Sequence, residues 1–377
     1  MRKVKDVLKK DPMLAVSLFA ALISLLITKP TASIVKSIDW HTLGTLFMML
    51  CVLEGFKQEN IFRPLIRMAS GLKRMRSLSL FLVFGVFFTS MFVTNDVSLI
   101  IFVPLTILLF RGGGKEKYIL PVISMENIAA IRGSLLMPFG SPQNLFFYAR
   151  FGKSAPEFIL MMTPLCIMSA VLLAAFVFVL YRKEPQEEIT FDIDKLSGEW
   201  TEEGRKKRIA YISLFILIIT VIVTRTSYWP AAVVTVFLVI LLVDRKLFSK
   251  VDFVLLVTFL CFFIFSSQVA ANTGIATFLK KSVTGHEYPW ILGLSQIISN
   301  VPASIVLFPF AENYKALIYG ADTAGLLSII GSLASVINYR IYVREYPGNG
   351  GRFLKTFTLI SWAFFVIVVV PGYLLSR

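Results

Sequence analysis

Strongly apolar runs recur along the whole chain and leave few folds open to it. Hydrophobic residues make up 56% of the 377 positions, whereas a soluble protein has about 45–50%. Runs of helix length with few charges indicate membrane helices, because a bilayer requires every backbone polar group to be bonded within the chain. The sequence therefore predicts an all-α protein that crosses the membrane many times. The runs cover approximately 13–28, 40–56, 78–93, 97–110, 118–150, 157–181, 209–223, 229–243, 252–268, 290–310, 321–343 and 354–376.

The basic residues predict which loops face the cytoplasm. The chain has 38 Lys and Arg against 23 Asp and Glu, and the cations concentrate in every second short loop between the apolar runs. This alternation follows the positive-inside rule and predicts a cytoplasmic-membrane protein with its N-terminus inside and its C-terminus outside. The positive charge is thereby explained by topology, so we expect the lipid bilayer and no nucleic acid as a partner.

A short polar motif occurs twice inside the apolar runs. The first copy reads SMFVTND at 90–96, and the second reads SQIISNV at 295–301. Each copy has a leading serine, a hydroxyl residue four positions later and an asparagine directly after it. Duplicated motifs that put hydroxyl, amide and carbonyl oxygens at membrane depth are typical of transporters built from internal repeats. The motif therefore indicates transport.

Each motif lies in a predicted re-entrant hairpin. The segment 78–110 has basic flanks at both ends, so both ends belong on the cytoplasmic side, and its two runs are short for a hydrocarbon core of ~30 Å. Two short membrane-spanning helices would satisfy the same charges, so this alternative stays open. The segment 290–310 is predicted to form a hairpin that opens to the outer side.

Each hairpin is followed by a predicted broken membrane helix. The segment 118–150 is interrupted by PFGSPQN at 138–144, where two prolines and a glycine cannot continue a helix. The segment 321–343 is interrupted by GSLAS at 331–335. The backbone groups released at such breaks must be satisfied in a cavity or by an ion.

A charged stretch at 182–208 divides the chain into two halves and is predicted to be a cytoplasmic linker. The first repeat would then cover 1–181 and the second 209–377. Because the two hairpins open to opposite sides, we expect inverted-topology repeats, each with a re-entrant hairpin and a broken transmembrane helix.

The strings TNDVSLIIFVPL and PFGSPQNL, followed by SQIISNVPASIVLFPF and GSLASVINYRIY, resemble the ion transporter superfamily. The closest resemblance is to its arsenite-permease/citrate-transporter-like branch, which is related to the divalent-anion/sodium symporters. The resemblance implies an elevator-type homodimer in which a scaffold domain holds a moving domain with both hairpins. It also implies a secondary active transporter for a small carboxylate or inorganic oxyanion, coupled to sodium or protons, with no cofactor other than bound sodium ions.

Other functions remain open on the sequence alone. An arsenite/antimonite efflux permease and a sodium/proton antiporter belong to the same class, and a membrane scaffold or a pump subunit belongs to a different one. The chain contains no HExxH, GxSxG or P-loop motif, so no enzyme activity is expected.

The resemblance also implies where ions and substrate bind. Each sodium site would lie between a hairpin tip and the adjacent broken helix, with the substrate between the two tips. The first sodium site would use Ser90, Thr94, Asn95 and Gly140, and the second would use Ser295, Ile298, Asn300 and Gly331. The substrate residues would be Asn95, Asp96, Ser141, Gln143, Asn144, Asn300, Val301 and Ser332. The tips read Thr-Asn-Asp and Ser-Asn-Val, not the Ser-Asn-Thr of the dicarboxylate symporters, which counts against a dicarboxylate substrate.

Asp96 is the most informative of these residues. A carboxylate at membrane depth is costly and rarely lacks a partner. The sequence leaves three roles open for it: a proton carrier, a cation ligand, or a structural partner of Arg132. Arg132 in turn would attract an anionic substrate or serve only that structural pairing.

Overall fold

The computed structural model describes residues 12–27, 38–59, 71–190 and 202–377, together with the isolated positions 35, 61, 68 and 69. The described part of the chain contains sixteen α-helices and no strand beyond a single bridge between Arg74 and Glu188. In chain order the helices are α1 (Pro12–Ile27), α2 (Trp40–Gln58), α3 (Met75–Val93), α4 (Asn95–Gly112), α5 (Ile119–Ser134), α6 (Pro142–Arg150), α7 (Ala155–Leu180), α8 (Glu202–Thr224), α9 (Trp229–Asp244), α10 (Phe253–Ala271), α11 (Thr273–Val283), α12 (Glu287–Ile298), α13 (Asn300–Leu307), α14 (Tyr314–Ala324), α15 (Leu333–Glu345) and α16 (Gly350–Ser376).

Six of the described helices are long and apolar enough to cross a membrane: α3, α4, α7, α8, α10 and α16. The all-helical, multi-pass character predicted from the apolar runs is confirmed. Helix α11 was not predicted, because it is a short segment with two lysines near its end and has no long apolar run. Helix α8 begins inside the predicted linker 182–208, and residues 191–201 of that linker lie outside the described part.

The first hairpin is longer than its apolar runs suggest. Helices α3 and α4 contain 19 and 18 residues, which is about 28 Å and 27 Å at 1.5 Å per residue. Both helices are long and apolar enough to be candidate membrane spans, so length does not distinguish the two alternatives and the re-entrant arrangement of this pair stays a prediction. Helices α12 and α13 contain only 12 and 8 residues and are too short to cross separately.

The two hairpins and the two broken helices interlock. Helix α5 packs along α3 and α4, and α14 packs along α12 and α13. The segment after each break then crosses to the other half: α6 packs against α13 and α14, whereas α15 packs against α4 and α5. Helices α7 and α16 also pack on α5, and with the hairpins and the broken helices they form one bundle. Helices α1, α2, α8, α9 and α10 form a second group. Each hairpin therefore touches the broken helices of both halves.

Ion pairs join segments that the predicted topology puts on the same side of the membrane. Arg111 pairs with Glu345 and Lys207 pairs with Asp244, all in segments expected in the cytoplasm. Arg150 pairs with Asp39, both in segments expected outside. The orientation in the membrane stays a prediction.

The residues directly after α7 fasten the base of the first hairpin; we call residues 184–189 the clamp. The Met75 N–H donates to the Glu187 carbonyl at 2.9 Å, and the Ile189 N–H donates to the Lys73 carbonyl at 2.8 Å. The Lys115 ammonium pairs with the Glu187 carboxylate at 3.0 Å. These contacts begin α3 three residues before its apolar run and tie it to the end of α7.

The breaks lie between α5 and α6 and between α14 and α15. The first covers residues 135–141 and overlaps the predicted PFGSPQN, whose last three residues already form the first turn of α6. The second covers residues 325–332, several residues before the predicted position, and Ser335 lies within α15. The second break precedes its predicted position because Gly325 ends α14, while Ser332 already serves as the N-cap of α15.

Candidate functional site

One residue joins the two helices of each hairpin, and it adopts the same backbone conformation in both. Thr94 has φ 71° and ψ 156°, and Ser299 has φ 69° and ψ 158°. Residues other than glycine rarely enter this region, which costs of order 1–3 kcal/mol. The two sequence motifs therefore share a strained turn as well as a pattern, and such strain clusters at functional sites.

The second hairpin tip is hydrogen-bonded to the second break. The Asn300 backbone N–H donates to the Gly331 carbonyl at 3.2 Å, and the Asn300 amide donates to the Ala321 carbonyl, also at 3.2 Å. Gln296 adds a second bridge, because its amide donates to the Ala324 carbonyl at 3.2 Å. The tip is thereby joined to the last turn of α14 and to the end of the break. Gln296 was not among the predicted site residues.

The first hairpin tip approaches its break through a glycine. A Cβ on Gly133 would lie 2.0 Å from the Phe87 carbonyl oxygen and 2.5 Å from the Ser90 hydroxyl, so only glycine lets α5 approach α3 here. The Asn95 side-chain oxygen accepts from the Asp96 N–H at 2.9 Å. Among the described residues this tip makes no hydrogen bond to its break, in contrast to the second tip.

The first break is held by its own asparagine. The Asn144 amide donates to the carbonyls of Ser134 at 3.1 Å and Leu135 at 3.0 Å, the last turn of α5. The Ser141 hydroxyl caps α6 by accepting from the Asn144 N–H at 3.3 Å. A Cβ on Gly140 would lie 2.1 Å from the Ser134 carbonyl oxygen, so the break folds closely onto the end of α5.

The other predicted site residues lie at the second tip and break. Ser295 is fully buried and donates to the Ile291 carbonyl at 2.6 Å. Ile298 ends α12, Val301 is buried in the first turn of α13, and Ser332 is buried at the start of α15. The predicted residues thus lie at or next to the two tips and the two breaks, and their role in binding stays a prediction.

Helix ends of both kinds meet at each tip and each break. Helices α4, α6, α13 and α15 begin there, and α3, α5, α12 and α14 end there. Helix N-termini carry partial positive charge and favour anions, whereas the free carbonyls of C-termini favour cations. The arrangement therefore offers ligands to an anion and to a sodium ion at neighbouring positions.

A buried charged group joins the two halves behind the breaks. Arg132 donates from Nε to the Ser169 hydroxyl at 2.8 Å and from Nη1 to the Asp322 carbonyl oxygen at 3.2 Å. Gln143 donates from Nε2 to the Asp322 carboxylate at 3.0 Å. Three polar atoms of this group have no partner among the described residues: Arg132 Nη2, Asp322 Oδ2 and Gln143 Oε1.

This geometry corrects one expectation and adds one residue. Arg132 does not pair with Asp96; it donates instead to the backbone carbonyl of Asp322, a residue of the other half. Asp322 was not singled out from the sequence, although a carboxylate within the apolar stretch YGADTAG is the same kind of signal that drew attention to Asp96.

Asp96 has no cationic partner among the described residues. Its Oδ1 is buried without a hydrogen bond, and none of the ion pairs among the described residues includes it. A carboxylate without a partner in a partly desolvated place is stabilised by a cation or a proton.

The comparisons with known proteins agree with this architecture. A family model described as "Citrate transporter" (CitMHS) matches residues 7–331. The chain is 29% identical over 345 residues to the inner membrane protein YbiR of Escherichia coli, covering 90% of this chain and 88% of that one. It is also 29% identical over 339 residues to the uncharacterized transporter MJ0456 of Methanocaldococcus jannaschii, covering 89% of each chain.

A solved structure shows the same fold. The YdaH transporter of Alcanivorax borkumensis superposes with a TM-score of 0.54 at 14% identity, covering 92% of this chain and 86% of that one. Its identity is too low to carry more than the fold. Together with the family match, these relatives indicate a membrane transporter and not an enzyme. The family model covers well over half of the sequence, and the chain therefore belongs to the citrate transporter family.

Proposed function

We propose that the protein is a secondary active transporter that moves a small anion, a carboxylate or an inorganic oxyanion, across the cytoplasmic membrane with sodium or protons. The observation that carries this proposal is the pair of strained one-residue turns at Thr94 and Ser299. Each turn brings a helix N-terminus and a helix C-terminus to a broken helix, which supplies positive and negative ends side by side.

An elevator-type motion in a homodimer would suit this bundle. The hairpins, the breaks, α7 and α16 pack on one another, while α2, α8 and α9 form contacts of their own. A bundle that carries both tips as one body would move the ion and the anion together, since both ligand sets belong to it.

Uptake into proteoliposomes tests the proposal. We expect one of citrate, succinate, sulfate, phosphate or arsenite to accumulate when a sodium or pH gradient is imposed, and not when the gradient is dissipated. Asn300→Ala should reduce this uptake at least about tenfold, because the amide fixes the second tip to its break. Asn272→Ala, which removes only the N-cap of α11, is the matched control and should transport normally. Equal uptake by both variants would contradict the proposed site.

The unpartnered carboxylate of Asp96 favours one alternative, sodium/proton antiport. In that case sodium would exchange for protons in liposomes without any added anion, and Asp96→Asn would stop the exchange. Anion uptake that persists in Asp96→Asn with its pH dependence unchanged would exclude Asp96 as the proton carrier.

A further inference from the structure

A second group of buried polar side chains lies where α4, α5 and α15 meet, away from the tips. We call Thr106, Glu126, Asn127, Ser335 and Asn338 the junction site. All five side chains have no exposed surface. They come from both halves of the chain, since α15 of the second half packs here against α4 and α5 of the first.

Each side chain of the junction site takes part in one hydrogen bond to a neighbouring residue. The Thr106 hydroxyl donates to Glu126 Oε1. The Asn127 amide donates to the Ser335 hydroxyl at 2.9 Å, and the Asn338 amide donates to the Ile123 carbonyl at 2.7 Å. A carbonyl can only accept, so this last bond fixes the orientation of the Asn338 side chain and leaves its oxygen free.

The atoms that remain unpartnered here are all acceptors. They are Glu126 Oε2, Asn127 Oδ1 and Asn338 Oδ1, each buried and without a hydrogen bond among the described residues. No Lys, Arg or His of the described chain forms an ion pair with Glu126. A buried carboxylate without a compensating charge is strongly unfavourable. The group around Arg132 differs, because its unpartnered atoms include a donor, Arg132 Nη2, as well as acceptors.

We propose that the junction site binds one monovalent cation, and sodium is the ion that fits it. The carboxylate of Glu126 would neutralise the single charge, and the amide oxygens of Asn127 and Asn338 would replace part of the hydration shell. Hard oxygen ligands suit such a cation. One carboxylate leaves the second charge of a divalent ion unbalanced, and the described residues contain no cluster of three His, Cys, Asp or Glu side chains that could hold a metal.

The junction site is separate from the ion sites proposed at the tips. Glu126 lies seven residues before Gly133 on α5, which is about 10 Å along the helix. Gly133 lies beside Phe87 and Ser90 of α3, and the tip residue Thr94 follows Ser90 by four residues. Binding at the junction would join α5 to α15, and so one half of the protein to the other.

Thermal unfolding of purified protein tests this inference without any transport assay. The variant Asn95→Ala/Asn300→Ala, which lacks both tip asparagines, is titrated with NaCl, KCl or choline chloride at constant ionic strength. We expect sodium still to raise its Tm. Adding Glu126→Gln should abolish this rise, and adding Asn338→Ala should raise the half-maximal sodium concentration at least about tenfold.

A matched control and a second measurement keep the test decisive. Glu54→Gln removes a carboxylate that pairs with Lys57 elsewhere, and it should leave the sodium response intact. If Glu126→Gln does not fold, Thr106→Val and Asn338→Ala in the same background, assayed by ²²Na⁺ binding, take its place. The inference is overturned if the tip variant shows no sodium response, or if the response survives Glu126→Gln. Failure of anion uptake in liposomes would overturn only the proposed function, because unfolding of the tip variant does not depend on it.

Discussion

At the scale of single residues, Thr94 and Ser299 are held in a conformation that normally requires glycine. The surrounding contacts impose this turn: the next residue of the second tip, Asn300, is bonded to the break through its backbone and its side chain. The Ser299 hydroxyl is buried without a partner. A strained turn that also aims an unsatisfied oxygen inward suits a ligand site better than a loop.

We expect Ser299→Gly to raise the Tm while reducing transport. Glycine removes strain of about 1–3 kcal/mol and costs about 0.5–1 kcal/mol of extra chain entropy, so the free energy of unfolding should rise by up to about 2 kcal/mol. The control Ser304→Gly lies within α13 and should lower stability. Unfolding in detergent measures both, and a Tm that falls as far in Ser299→Gly as in Ser304→Gly would contradict the strain.

A second prediction concerns the buried neighbours Arg132 and Asp322, which are joined through the Asp322 backbone carbonyl and belong to one group with Gln143. Replacing one of them leaves buried polar groups of the other with fewer compensating partners, and an unsatisfied buried group costs about 1–3 kcal/mol and more when it is charged. Arg132→Met and Asp322→Asn should each lower the Tm strongly, and the double variant should recover a large part of the loss. The combination of Arg132→Met with Asp96→Asn should show no recovery, because these residues do not pair. Additive losses for Arg132 and Asp322 would show that they are not coupled.

The sequence located the tips and breaks but not every partner. The serine, asparagine and glycine patterns mark local turns, so they can be read along the chain. The choice of Asp322 over Asp96 as the neighbour of Arg132 depends on helix rotation and on how α14 packs beside α5, and spacing alone contains neither. The length of α3 likewise depends on the clamp, which lies more than a hundred residues further along the chain.

At the scale of helices, glycine decides how closely the hairpins approach the broken helices. Gly133 lets α5 pack on α3 in the first half. In the second half Gly320 plays a similar part, since a Cβ there would lie 2.2 Å from the Ile291 side chain. The first contact lies four to seven residues before Thr94, and the second lies at least eight residues before Ser299, so these glycines set the spacing along the hairpins.

We therefore expect Gly133→Ala to push α5 away from α3, with a loss of about 1–3 kcal/mol from overpacking and a larger loss of transport. Gly293→Ala is the matched control, because an added Cβ at that exposed position of α12 meets nothing within 4 Å. Unfolding and uptake measured on both proteins check this. Normal uptake by Gly133→Ala would show that the spacing of α5 and α3 is not critical.

At the scale of the whole molecule, the predicted topology determines which loops an impermeant reagent can label from each side of the membrane. In a variant without Cys51, Cys166 and Cys261, a cysteine at the exposed position Ser249 should react with an impermeant maleimide only from the cytoplasm. A cysteine at the exposed position Ser154 should react only from outside. Labelling of intact and inverted vesicles measures this. Reaction of both from the same side would refute the N-inside, C-outside topology.

The clamp also has a mechanical consequence. It fixes the chain as far as Ile189 to the base of the first hairpin. Helix α8 begins at Glu202 and packs against α2 and α9 in the other group of helices. The chain between Thr190 and Glu202 has twelve residue steps, which reach at most about 40 Å when fully extended. If the hairpin bundle moves relative to α2, α8 and α9, as proposed, its displacement is limited by the reach of this segment. Deleting residues from the segment should therefore reduce the displacement.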